Sequence, residues 1–326
     1  MSGAISFSTS VPADGALLTR LSDNSAAVRR QLDAATVQAS TGRIAETYAG
    51  LGAGARTSLT LRPQVTQAAA WQANIDGAGG RMDVAQSALR SISGIAADFY
   101  AKAGAINGLI PSEAASIAAT ARVALAQVSQ LLNSRYGDTY VFAGQDTANP
   151  PIPDTSPAVV GAAVLASDTA TAPFSATLGA VPPAIEVGEG QRVQVGLLAN
   201  RNTLTASAAP TTGSYLRDVL RALATLTTAT AGPGLQALAA DTRTRLGSAI
   251  DAMGIEAGAL GDVQSSLSAR KTQLKETVTA LSNQVSNAED VDFAATLTRV
   301  SLLQTQLQAS YRLIAGAKDL SLARFL

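Results

Sequence analysis

The chain has 326 residues and balances 24 basic against 24 acidic side chains, so its formal net charge is zero. It contains no cysteine and no histidine, and thus lacks the commonest metal ligands and the usual general base, which argues against catalysis and against a metal or cofactor site. The sequence has no basic block and no apolar run of about 18 residues, which argues against a nucleic-acid partner and against a membrane span.

The surface is expected to be weakly charged. Charged residues make up 15% of the chain, against about 25% in an ordinary globular protein. A surface rich in Ser, Thr, Gln and Asn repels a neighbouring copy only weakly, so this composition favours close self-packing. The first residues carry neither the basic nor the apolar region of a cleaved signal peptide, and by the usual rules they predict a cytoplasmic protein.

The N-terminal part predicts three helices. Apolar residues between Leu18 and Ala39 are spaced alternately three and four apart, the heptad pattern that supercoils helices against partners, and Thr41-Gly42 interrupts it. The glycine-rich stretch 48–62 predicts a loop. A second heptad pattern runs from Met82 to Ile110, and a third helix is predicted from an N-cap at Ser112 through Leu132.

The middle of the chain, 138–212, predicts a small β-rich insert. Thr139 to Phe142 has strand character and is followed by a proline cluster. The stretch 185–196 predicts two short strands around Gly188-Glu189-Gly190, and 159–165 and 174–178 are weaker strand candidates.

Helical periodicity returns at Tyr215 and stops at Gly232-Pro233-Gly234. A long heptad pattern then runs from Leu246 to Val285, and a last one from Phe293 to Ile314. The organisation is therefore an N-terminal helical region (1–137), the β-rich insert (138–212) and a C-terminal helical region (213–326). The predicted fold is mainly α, a long antiparallel coiled-coil bundle formed by both chain ends, with a small central β domain.

Both chain ends carry narrow apolar stripes, so they are predicted to pair with each other or with other copies of the chain. An isolated helix of this kind is marginal in water and buries enough only when partners supply the other side. The candidate assembly residues are Leu18, Leu21, Val28, Leu32, Leu297, Val300, Leu307, Tyr311, Ile314, Leu320, Leu322, Phe325 and Leu326.

Short motifs, in order along nearly the whole length, resemble the bacterial flagellin superfamily, and within it the hook–filament junction proteins most closely. They are Ser40-Thr41-Gly42-Arg43-Ile44, Asn74-Ile75, Asp138 to Gly144 with Phe142, Glu289 to Phe293 with Asp292, and the ending Asp319 to Leu326. Two features depart from the superfamily. The glycine-rich stretch 48–62 replaces a usual Asp-Asp-Pro/Ala-Ala segment, and the Asn…Pro-Gln…Val-Leu ending of flagellins proper is absent.

The resemblance implies a structural component of the flagellum, not an enzyme, that joins hook to filament and self-associates through its terminal helices. It further implies export through the flagellar type III channel without a cleaved signal peptide, an extracellular location that replaces the cytoplasmic one, and terminal helices that order on assembly. Implied partners are a neighbouring junction protein, flagellin and an export chaperone. The alternatives are a filament-forming flagellin and, from another class, a soluble helical-bundle binding module such as an export chaperone.

Three features have competing interpretations. The acidic residues Glu289, Asp290 and Asp292 could form a metal site, but acidic residues in the first turn of a helix explain them better. The glycines at 50, 52 and 54 lack the Gly-Lys-Ser/Thr of a phosphate-binding loop and are interpreted as a flexible connector. The single Trp71 is interpreted as a helix-packing ring, with a partner anchor as the alternative.

Overall fold

The computed structural model describes residues 13–106, 111–167, 172–179, 181–203 and 213–322, with side chains described over the same ranges except for 13–18 and 317–322. In chain order the elements are α1 (Ala13–Thr41), a 3-10 helix (Tyr48–Leu51), α2 (Gly54–Gly104), α3 (Pro111–Leu132), β1 (Arg135–Tyr136), β2 (Thr139–Tyr140), α4 (Pro157–Ala166), β3 (Ala184–Gly188), β4 (Gln191–Gln194), α5 (Tyr215–Thr227), α6 (Leu235–Glu289) and α7 (Phe293–Leu322). The predicted fold class, mainly α with a small β part, is confirmed. Over these residues no helix combines the length and the apolar character that crossing a bilayer requires.

The chain divides into two compact units, and α2 and α6 each run from one into the other. The terminal unit comprises Met1–Thr66 and Val278–Leu326, and the central unit comprises Gln67–Thr277. The three-segment division at 138 and 213 stays a prediction.

The predicted heptad positions are the positions that the helices bury. In α2, every predicted position from Met82 to Ile106 is buried, and in α6 every predicted position from Leu246 to Val285 is buried or half-buried. Ile110 lies outside the described residues. The breaks at Gly42 and at Gly232-Pro233-Gly234 are also confirmed, because α1 ends at Thr41 and α6 begins at Leu235.

The central unit builds its core where α3, α4 and α5 pack on one another. Most of α5 is buried around its whole circumference, including Tyr215, Leu216, Val219, Leu220 and Leu223. Gly161 of α4 lies in this interface: a methyl group there would be in ordinary van der Waals contact, 3.7 Å from Leu125 Cδ2 of α3 and 3.8 Å from Ala224 Cβ of α5.

The insert contains less strand than predicted. The hairpin is confirmed, since β3 pairs antiparallel with β4 and Ile185 lies opposite Val193. The predicted strand at 159–165 is wrong, because these residues belong to α4. Pro157 is the first residue of this helix, a position that favours proline. A short apolar run does not distinguish a strand from a buried helix by periodicity alone. The segment 174–178 forms turns, in which Leu178 N donates to Ser175 O at 3.1 Å.

The glycine-rich loop predicted over 48–62 is also wrong in extent. Tyr48 to Leu51 form one 3-10 turn, and α2 begins at Gly54, well before Met82, where the predicted heptad pattern starts. Gly54 sits where a side chain would not fit, because a Cβ there would lie 2.7 Å from the carbonyl oxygen of Ala288. The residues after it, 55–62, contain no glycine and favour a helix.

The motif Tyr140 to Gly144 packs against later residues of the insert. Phe142 is fully buried, and its carbonyl oxygen accepts a hydrogen bond of 3.1 Å from Ala199 N. Gly144 has φ +64°, and a Cβ there would lie 2.6 Å from Leu198 Cδ2 and 3.3 Å from the carbonyl oxygen of Val181. Both the backbone angle and the close approach therefore require glycine.

Gly144→Ala should destabilise the central unit more than Gly137→Ala does. Both glycines have positive φ, so each alanine costs about 1–2 kcal/mol of backbone strain. Only Gly144 also meets the buried Leu198, which adds about 1–3 kcal/mol of overpacking. Urea unfolding followed by circular dichroism measures the difference, and equal losses in the two variants would contradict the close-packing argument.

Candidate assembly surface

In the terminal unit, α1 and α7 pack antiparallel to each other. Val28, Ala35 and Leu303 are buried in the seam between them, and partly buried Leu32, Val300 and Leu307 pack against that cluster. The direction follows from the end of α1, where the carbonyl oxygen of Gly42 accepts a hydrogen bond of 3.0 Å from Val291 N just before α7 begins. The predicted pairing of the two chain ends is thus present within one chain.

The buried stripe of α1 is the predicted one. Leu21, Ser25, Val28, Leu32, Ala35 and Ala39 are all buried or half-buried. Leu18 lies in the helix, but its side chain is outside the described set.

The buried stripe of α7 is rotated from the predicted one. Val300, Leu307 and Ile314 are buried or half-buried as predicted. Leu303, which the prediction omitted, is 5% exposed, whereas Leu297 and Tyr311 are 46% and 49% exposed. Only one of the adjacent residues Leu302 and Leu303 can face α1, and the spacing alone does not determine which one does.

The rotation leaves two apolar flanks on α7 that no described residue covers. At about 100° per residue, Phe293, Leu297 and Tyr311 lie roughly 60–100° to one side of the centre of the seam. Leu302 and Leu313, which are 65% and 62% exposed, lie roughly 100–120° to the other side. We call these the first flank (Phe293, Leu297, Tyr311) and the second flank (Leu302, Leu313).

Exposed large apolar residues are concentrated in the terminal unit. Fifteen such residues are found in the described part of the chain, and nine of them belong to this unit although it is the smaller. Besides the two flanks of α7, the nine comprise Val37, Ile44, Tyr48 and Leu59. Contiguous exposed apolar surface marks sites of interaction with other molecules.

A junction cluster, which we define as Gly42–Ile44, Glu289–Asp292, Ser58 and Arg62, joins the ends of the helices in the terminal unit. Gly42 has φ +70° and follows the last residue of α1, as predicted for a glycine that ends a helix. Arg43 then forms an antiparallel bridge with Asp290, and Ile44 N donates to Glu289 O at 2.7 Å. Two motifs that stand some 250 residues apart in the sequence are thereby paired.

The acidic residues of this cluster have different roles. Asp292 caps α7, since its Oδ1 accepts a hydrogen bond of 3.0 Å from Ala295 N. Glu289 is the last residue of α6, not part of a first turn, so the dipole interpretation is wrong for Glu289. Within the described residues no group of three or more potential metal-binding side chains occurs.

Glu289 is 6% exposed and accepts hydrogen bonds from α2. Arg62 Nε donates to its Oε1 at 2.7 Å, Arg62 Nη2 donates to its Oε2, and the Ser58 hydroxyl also donates to Oε1. Ser58 and Arg62 are four residues apart and so lie on one face of α2. Hydrogen bonds from Arg62 and then Ser58 lower the pKa of Glu289 to about 2. No sequence pattern indicates this contact, because neither Ser58 nor Arg62 belongs to a recognisable motif.

A groove of about 450 Å³ runs beside the end of α1 in the same unit. The segment after Gly42 turns back along the helix, and Gln38 Nε2 donates to Ile44 O at 2.9 Å. Its apolar lining includes the exposed Val37 and Ile44, and its charged lining is Asp33, Arg43 and Glu46.

The other motif residues lie in the central unit. Asn74 Nδ2 donates to Glu186 O at 3.2 Å, and Phe142 and Gly144 pack within the insert as described above. Trp71 is half-buried on α2. Leu320 and Leu322 lie in α7 with side chains outside the described set, and Phe325 and Leu326 lie outside the described residues.

Residues 244–326, which contain α7 and most of α6, match the family model of the bacterial flagellin C-terminal helical region. The flagellin resemblance seen in the motifs is thus confirmed for this C-terminal part of the chain.

A solved structure shares the fold. It is that of a protein of Vibrio parahaemolyticus, provisionally named a flagellar hook-associated protein, with a TM-score of 0.56 and 11% sequence identity. The similarity covers 72% of this chain and 96% of the other. No curated protein matches the chain at a significant level of sequence similarity.

Acid should remove the contribution of Glu289 to the stability of the terminal unit. Because folding lowers the pKa of this carboxyl group to about 2, its stabilisation is full above the unfolded value of about 4.3–4.5 and is lost as the pH falls toward 2. Glu289→Gln should therefore cost about 1–2 kcal/mol at pH 7, a modest value since Arg62 is 44% exposed.

Thermal unfolding of the unaltered protein and of Glu289→Gln, measured from pH 7 to pH 2, tests this dependence. The difference between the two should shrink below about pH 4.5. A difference that is the same at every pH would contradict an ionised Glu289 as its source.

Proposed function

We propose that the protein joins the flagellar hook to the filament and that it self-associates through its terminal helices. The observation that carries the proposal is the second flank of α7. Leu302 and Leu313 stand exposed on one side of a helix whose central stripe is already packed on α1. A helix with an apolar flank on each side of its seam is suited to a neighbour on each side, as in a closed ring or a helical array.

The candidate assembly residues then divide into two groups. Val28, Leu32, Val300 and Leu307 hold α1 against α7 within one chain. Leu297 and Tyr311 contact the neighbouring copy, together with Leu302 and Leu313, which the sequence pattern did not single out. Leu21 and Ile314 are half-buried and belong with the first group. The side chains of Leu18, Leu320, Leu322, Phe325 and Leu326 lie outside the described set, and these residues stay proposed members of the assembly surface.

The weak charge of α7 supports close packing between copies. From Phe293 to Gly316 the only charged residues are Arg299 and Arg312. The outward face between the two flanks includes the small polar residues Thr298, Ser301 and Thr305, and Arg312 is its charged residue. Few charges have to be desolvated when a second helix covers this face, so the cost of association is low.

The junction role in particular rests on two similarities. The last eight residues, Asp319 to Leu326, resemble the ending of junction proteins. The Vibrio parahaemolyticus protein of the same fold carries a hook-associated name. In this role the partners are a second junction protein and flagellin, with an export chaperone before secretion. The location is extracellular, reached through the type III channel without a cleaved signal peptide, and no catalytic activity is involved.

A filament-forming flagellin is the second candidate, and the family match at residues 244–326 favours it as much as it favours a junction protein. Seeded polymerisation separates the two. We expect that the purified protein does not extend filament seeds into long filaments. It should nevertheless bind isolated hook ends and allow flagellin to polymerise from them. Long filaments of this protein alone, seen by electron microscopy, would overturn the junction role and support the flagellin role.

Loss of the second flank should prevent assembly without unfolding the chain. In the variant Leu302→Ser/Leu313→Ser, each lost leucine contact removes about 1.5–2 kcal/mol, which corresponds to roughly 10- to 30-fold weaker association per site. The matched control is Val123→Ser, which removes an aliphatic side chain that is 68% exposed on α3 of the central unit.

Co-sedimentation of each variant with hook ends measures this loss of binding. The control should bind as the unaltered protein does. Normal binding of the double variant, with an unchanged circular dichroism spectrum, would show that the second flank is not an interface.

A further inference from the structure

In the central unit, α2 and α6 run side by side in opposite directions, and polar side chains join them at two levels. At the inner level, Gln86 Nε2 donates to Gln264 Oε1 at 2.7 Å, and Gln264 Nε2 donates to Asp83 Oδ1 at 2.8 Å. At the outer level, Lys271 Nζ lies 2.5 Å from Asp76 Oδ1. The outer level is the one nearer to the limit of the central unit along both helices.

The hairpin of β3 and β4 binds both helices at the outer level. Asn74 Nδ2 of α2 donates to Glu186 O at 3.2 Å, and Arg270 Nε of α6 donates to Val187 O at 3.2 Å. These carbonyl groups belong to adjacent residues of β3, so a single strand links the two helices. Gly188 leaves room for the Arg270 guanidinium group, because a Cβ there would lie 2.7 Å from Arg270 Nη2.

The strand that makes this link is itself held in place. Ile185 of β3 lies opposite Val193 of β4, and Val195 N donates to Pro183 O at 2.9 Å just beyond the paired residues. The carbonyl groups that accept from α2 and α6 are therefore presented by a paired strand rather than by a loose loop.

The other contacts at the outer level are weaker. The side chains of Asp76 and Lys271 are 56% and 45% exposed, and ion pairs as exposed as this one contribute little to stability. Pairs of helices with a narrow apolar seam open readily at their ends. The apolar residues buried near this level are Ile75, Ala78, Leu267 and Leu274. The hairpin is thus the contact that decides how far the two helices stay together.

We propose that the β3–β4 hairpin is a clamp, formed by Asn74, Arg270 and the carbonyl groups of Glu186 and Val187. It holds α2 to α6 at the outer end of the central unit, and in the free monomer the ordered part of both helices ends there. Beyond the clamp the helices continue into the terminal unit, whose terminal helices the flagellin resemblance leads us to expect to order on assembly. The clamp prevents that lack of order from spreading inward. This role goes beyond the proposed function, because a junction protein and a flagellin would need it equally.

Trp71 is a natural reporter of the clamp. It is the single tryptophan of the chain and is half-buried on α2. It precedes Asn74 by three residues, so it lies about one helical turn on the outer side of the clamp. Opening of the helix pair at this level should expose the indole ring to water.

The experiment is amide hydrogen exchange on the free full-length monomer at pH 7, together with the fluorescence of Trp71. In Asn74→Ala/Arg270→Ala we expect residues 67–80 and 266–277 to exchange faster, by a factor on the order of ten, while α5 stays as protected as in the unaltered chain. The emission of Trp71 should shift to longer wavelength. Alanine favours helix at least as much as asparagine and arginine do, so intrinsic propensity predicts the opposite change.

Two further variants separate the clamp from a general effect on the helices. The matched control is Arg90→Ala, because Arg90 is exposed on α2 and its Nε donates to Gln86 O within the same helix. It should leave exchange at 67–80 and 266–277 unchanged. Gly188→Val alters neither helix but displaces the Arg270 side chain, and it should give the pattern of the double alanine variant.

Several results would overturn the clamp. One is unaltered exchange at 67–80 and 266–277 in the double variant, and another is an equal loss of protection in Arg90→Ala. A third is protection in the unaltered monomer that continues undiminished into the terminal unit, since the ordered part would then not end at the clamp. If the double variant also exposes α5, Gly188→Val decides the question with the same expected pattern. No flagellar part is present in this assay, so its outcome is independent of whether the protein binds hook ends.

Discussion

The terminal unit depends on one narrow contact, the antiparallel seam of α1 and α7. Helices of about thirty residues lose much conformational entropy when they order. The free energy that offsets this loss comes only from burial of a few side chains around Val28, Ala35 and Leu303. A pair held in this way is marginally stable by itself. It gains stability when its remaining apolar surface is covered. The exposed flanks of α7 and the thinness of the seam therefore both make the pair more stable in contact with a neighbour than alone.

The central unit is stabilised differently. Its core is formed by α3, α4 and α5, and it encloses whole side chains such as Phe142 and Tyr215. That packing needs no second molecule. The contrast separates a unit with an enclosed core from a unit that leaves large apolar side chains exposed, and the proposed assembly would cover those side chains.

The junction cluster shows how a few polar contacts can decide what an apolar seam leaves open. Apolar contacts are non-directional and tolerate small shifts. The hydrogen bonds of Glu289, Ile44 and Val291 require particular atoms to meet, and therefore select one arrangement. Glu289 remains ionised in its buried place because Arg62 and Ser58 replace the water that it has lost, which is also why the pKa of its carboxyl group falls.

The sequence by itself determined the helices and most of the residues that they bury, because heptad spacing places apolar residues on one face whatever the partner is. This held for the stripes of α1, α2 and α6, for the hairpin of β3 and β4, and for the flagellin resemblance of the C-terminal part. Only the tertiary structure decided three further points. It chose Leu303 over Leu302 for the seam, because the angle at which α7 meets α1 selects between adjacent leucines. It made 159–165 a helix, because α3 and α5 offer a helical partner there, and it joined Glu289 to Arg62, because residues distant in sequence meet only when the fold brings them together.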